Sequence, residues 1–82
     1  MKWLTADRLD RTQTSAGVQA SLVFEEANGD RHHVHCLCHE DYTTDIGDEE
    51  GGTIIDYLNG RYGSQVVCAL ARFVTMRPEN FD

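Results

Sequence analysis

Val18-Gln19-Ala20-Ser21-Leu22-Val23-Phe24-Glu25-Glu26-Ala27-Asn28-Gly29-Asp30-Arg31-His32-His33-Val34-His35-Cys36-Leu37-Cys38 is the stretch on which the fold depends. Val18, Ala20, Leu22 and Phe24 alternate with Gln19, Ser21 and Glu25, the period of a half-buried strand. Val34, Cys36 and Cys38 repeat that period beyond Ala27-Asn28-Gly29, which supplies a turn. A two-residue Asn-Gly loop would set Leu22 against His35 and Phe24 against His33, mixing an apolar face with a polar one. A three-residue loop, with Gly29 in the left-handed position of a bulge, sets Leu22 against Val34, Ala20 against Cys36 and Val18 against Cys38. Burial of one face selects the second register. Cys36 and Cys38 are then expected inside, and His33, His35, Leu37 and His39 outside with Glu25.

Outward from this hairpin (about 17–39) the signals weaken. Residues 40–52 are polar, acidic and rich in glycine, and they read as a connection. Thr53 with Asp56 three positions on is a variant capping box, so a helix is expected to start there. It would bury Ile54, Ile55 and Leu58 and stop at Asn59-Gly60. Between Ser64 and Met76, the residues Val66, Val67, Leu70, Phe73 and Val74 fall on one helical arc. A second helix ending before Pro78 is expected there. The alternative is a third strand over 65–75, giving a ββαβ order, because the valines also suit a sheet. Trp3 and Leu4 suit an edge strand, and Gln13 to Gly17 a loop. The expectation is one small α+β domain spanning 1–82, an antiparallel hairpin packed on two C-terminal helices.

Charge is distributed just as unevenly. Residues 32–60 hold seven acids and no Lys or Arg, so they carry the whole formal charge of −7. The seven bases are scattered elsewhere, which disfavours direct binding of nucleic acid or of an anionic membrane. No run of residues is long and apolar enough for a signal or a span. The three cysteines are therefore expected as thiols in a reducing cytoplasm.

Four constellations could carry chemistry. His33-Val34-His35 places two imidazoles on one strand face, roughly 7 Å apart at Cα, with His39 or Asp41 to complete a zinc site. The alternative is a solvated histidine-rich face. Cys36-Leu37-Cys38 lacks the C-x2-C spacing of structural zinc sites and reads as buried hydrophobes. The acidic connection fails as a calcium loop, since Tyr42 and Ile46 would occupy ligand positions ahead of Gly47. Ile54 to Val74 could be a helix-turn-helix regulator, though its acids repel phosphate. No nucleophile, base and orienting group sit at spacings that would let them converge, so no catalytic site is expected.

The expected function is thus non-enzymatic, that of an interaction or inhibitor module that blocks a nucleic-acid-binding host machine. Glu40, Asp41, Asp45, Asp48, Glu49 and Glu50 would engage a basic protein surface, with steering by clustered carboxylates. By analogy with small acidic proteins of phage and mobile elements, that surface belongs to a nucleic-acid-binding protein. A homodimer is compatible with so small a core. The runner-up is a metal-binding accessory protein using His33, His35 and His39, with zinc as cofactor. Histidine changes charge between about pH 5 and 8, so acidification and added salt should both weaken binding of a basic partner.

Overall fold

The computed structural model describes residues 3–47, 49–63 and 65–73. Four strands, β1 (Trp3–Gln13), β2 (Val18–Glu26), β3 (Arg31–Cys38) and β4 (Thr44–Ile46), precede two helices, α1 (Glu49–Tyr62) and α2 (Val66–Arg72). The strands form one antiparallel sheet in the order β1-β2-β3-β4. Both helices lie on one face of it, α1 chiefly against β3 and α2 against β1 and β2. The α+β reading holds, and residues 66–72 are helix rather than the alternative third strand.

The hairpin folds in the register that one-sided burial demands. Leu22 pairs with Val34, Ala20 with Cys36 and Val18 with Cys38. Glu26 N–H donates to the Asp30 carbonyl at 2.9 Å, and Gly29 sits at φ +91°, where a side chain would be strained. Phe24, Leu22 and Val34 are buried at 0–1% exposure against Ile54, Ile55, Leu58, Val67 and Leu70. Gln19, Ser21, Glu25, Arg31, His33 and His35 fall on the other face, opposite the two described helices.

Four sequence expectations are corrected. Residues 40–52 are not a plain connection: Thr44–Ile46 pairs with β3, and α1 begins at Glu49. Thr53 therefore caps nothing; its hydroxyl donates back to the Glu49 carbonyl at 3.1 Å from within the helix. Glu49 and Glu50 occupy the first turn, where carboxylates oppose the positive end of the helix dipole. Nor does α1 stop at Asn59-Gly60. It runs to Tyr62 and ends on Gly63, which takes φ +101° and donates its N–H to the Asn59 carbonyl at 2.9 Å. Lastly, α2 ends at Arg72, with Phe73 extended and exposed rather than in the apolar arc. Residues 74–82, including Val74 and Met76, lie outside the described residues.

The thiol expectation also falls. Cys38, at the end of β3, and Cys68, in α2, form a disulfide, while Cys36 is a free buried thiol. Arg72 seals the junction by donating to the Cys38 sulfur at 3.4 Å and to the His39 carbonyl at 2.7 Å. The thiol reading, drawn from an expected reducing cytoplasm, therefore holds for Cys36 alone. Among the described residues, no helix is long and apolar enough to cross a membrane.

Gly17 is buried beside the same junction, at φ +151°, in a conformation that L side chains rarely adopt. A Cβ there would press into the Cys38 backbone carbonyl, which cannot swing away as a side-chain tip could. Gly17→Ala is expected to lower stability by about 1–3 kcal/mol, read as a shifted urea midpoint. An unchanged midpoint would show that this approach is not tight.

Candidate functional site

The β-hairpin register dictates what the open face presents. Because Leu22 and Val34 point inward, Ser21 and His35, one position away on each strand, point outward and face each other. Ser21 Oγ and His35 Nδ1 lie 2.9 Å apart. Asp10 stands opposite Ser21 on β1, and Asp45 stands opposite Leu37 on β4. Between these two carboxylates the face sinks into an open depression of about 440 Å³. Ser21, His35, Leu37 and Ile46 help line it, and no Lys or Arg does.

This pair does not amount to a hydrolytic triad. A serine nucleophile needs its histidine to be oriented by a third group on the far ring nitrogen. Here Asp10 stands on the serine side, and the only hydrogen bond described for the His35 ring is the one to Ser21. Cys36 offers no alternative nucleophile, since burial pushes its thiol up to about 11.

The histidines expected as metal ligands are dispersed. His33 and His35 share the open face, but His35 is engaged by Ser21, and His39 Nε2 donates to Asp45 Oδ2 over 2.7 Å. Among the described residues, no group of three or more His, Cys, Asp or Glu side chains could hold a metal ion. His32, which falls on the helix-covered side, contacts Glu26 at 2.8 Å and also Glu50. It ties the hairpin to the first turn of α1.

The expected partner-binding acids gather along one border of the sheet. Glu40 and Asp41 lie in the turn entering the edge strand β4, Asp45 lies on it, and Glu49 and Glu50 open the helix that follows. Asp48 lies outside the described residues. Not all of these carboxylates are free for a partner. Asp41 accepts from the Thr43 hydroxyl at 2.6 Å and from the Thr43 N–H at 3.0 Å, which holds its carboxyl below the usual range. It closes the turn in which Tyr42 takes φ +67°, under the Arg72 guanidinium at 5.0 Å from the ring centroid.

The Asp45 hydrogen bond raises the pKa of His39 above the ordinary histidine value. A raised folded-state pKa means that the tie adds stability below the unfolded value of about 6.5 and loses it as pH rises through the folded one. Asp45→Asn is expected to move the His39 midpoint down toward the ordinary value, followed by proton NMR of the ring. A midpoint unchanged by the substitution would rule out Asp45 as the cause.

Sequence reasoning missed Ser21, His35 and Asp10 as a group. The Ser21–His35 juxtaposition was already implicit in the hairpin register. The position of Asp10 was not, because β1 shifts register between Trp3 and Thr5 and again between Arg8 and Asp10. No family model, no curated protein and no solved structure matches the chain.

Proposed function

We propose that the protein is a non-enzymatic interaction module that engages a basic protein surface through the acids bordering β4. The observation that carries this reading is the run of exposed carboxylates, Glu40, Asp41, Asp45, Glu49 and Glu50, along a single edge of the sheet. Residues 32–60 contain no Lys or Arg to neutralise them. Clustered exposed charge of one sign raises encounter rates with an oppositely charged surface and orients the approach. A basic, nucleic-acid-binding protein is the kind of partner such a surface suits, and the chain itself has too few clustered bases to bind phosphate.

The experiment is association kinetics with an octa-arginine peptide, comparing the parent chain with the variant Glu40→Gln, Asp48→Asn, Glu49→Gln. Glu40 and Glu49 take no part in the Asp41 hydrogen bonds or the His32 contacts. The association rate is expected to fall roughly five- to ten-fold at low salt, with the difference narrowing as salt is added. Folding should change little, since exposed charges contribute little to core stability. Equal association rates for the two proteins would reduce the acidic border to a solvated edge.

A further inference from the structure

We propose that the face of the sheet opposite α1 and α2 is the seat of the partner's basic segment, which lies across the strands over the depression between Asp10 and Asp45. This rests on the interaction-module reading and adds a second contact surface to it. Antiparallel sheets commonly leave one face to water, so openness alone indicates nothing. Charge and shape together do. Among the described residues, the open face carries Asp7, Asp10, Glu25 and Asp45 against one formal cation, Arg31, which is held by Glu25 at 2.9 Å, while Asp45 accepts from His39 at 2.7 Å. The depression is lined without any Lys or Arg, and Ser21, His35 and Leu37 in its lining offer hydrogen-bonding groups beside an apolar contact. A second copy of this chain would bring like charges together there, and nucleic acid would meet carboxylates. A cationic peptide segment meets neither obstacle.

The dimensions set its pattern. Asp10 and Asp45 stand on the two outer strands, three strand spacings or about 14 Å apart across the sheet. An extended segment advances about 3.3 Å per residue with alternate side chains on one side. Basic residues at i and i+4 therefore reach the two carboxylates, with residue i+2 over Ser21 and His35. The long, flexible stems of Lys or Arg absorb the offset along the strands.

The test is a titration of the isotopically labelled protein with octa-arginine peptide, followed through backbone amide shifts. Saturable shifts at Asp10, Ser21, His35 and Leu37 are expected. Ser21→Arg, which places a cation in the depression, should weaken binding roughly ten-fold, and Asp10→Asn roughly three-fold. The milder variant decides the matter if the first does not fold. Shifts confined to Glu40, Asp41 and Glu49, with unchanged affinity in Asp10→Asn, would overturn the sheet-face seat and leave the acidic border standing. No saturable shift anywhere would remove both.

Discussion

Leu22→Ala is expected to cost about 2–5 kcal/mol of folding stability, the range for emptying a leucine site in a packed core. Leu22 is 1% exposed on β2, an inner strand flanked by β1 and β3. Its inward neighbours Phe24 and Val34 are fully buried, so little of the lost volume can be refilled by solvent-facing groups. Small domains have only about 5–15 kcal/mol in total, so this one substitution removes a large share. Urea unfolding checks it, with Leu37→Ala as the internal comparison. Leu37 points to the open face and is half-buried, so its truncation should cost under about 1 kcal/mol. Equal losses at both positions would contradict the one-sided core.

Removal of the Cys38–Cys68 disulfide should have an effect of the same size. The two cysteines are 30 residues apart in sequence, and loop closure over that length stabilises by about 3–4 kcal/mol in the chain-entropy account. The bond joins the end of β3 to α2, so the closed loop contains β4 and all of α1. Cys38→Ala with Cys68→Ala avoids leaving a buried hydroxyl unpaired. It is expected to lower the melting temperature by about 15–25 °C for a domain of this size. Arg72, bonded to the His39 carbonyl, should keep α2 near its place at low temperature. A thiol assay gives an independent check. Unfolded without reductant, the parent chain should expose one reactive thiol, Cys36, and a count of three would exclude the pairing.

The candidate site was legible in the sequence only in part. The acids along β4 were visible as a run of charge, and their exposure at Glu40, Asp41, Glu49 and Glu50 follows from ordinary solvation. Which of them are committed to the fold was not visible. Asp41 serves its own turn, Asp45 holds His39 and Glu50 reaches His32, and each pairing depends on where the chain reverses. Strand alternation had already placed His33 and His35 together on the open face, but the ties of His32 to Glu26 and Glu50 and of His39 to Asp45 were not visible.

The hairpin was determined by the sequence itself. Its two apolar sets have period two, and only a three-residue loop aligns them, so local geometry and burial allow a single register. The apolar arc of α2 was legible at Val67 and Leu70 only, since Phe73 lies beyond the helix and Cys68 and Ala71 are buried with them. Tertiary structure decided the rest. Thr44-Asp45-Ile46 is too short to show a period, and it becomes a strand because β3 has an unpaired edge beside it. Glu49-Glu50-Gly51-Gly52 has poor intrinsic helix propensity, yet it is helical because α1 packs on β3, where Gly51 is buried. Cys38 and Cys68 meet only once α2 crosses the sheet, a contact between distant residues that no local pattern encodes.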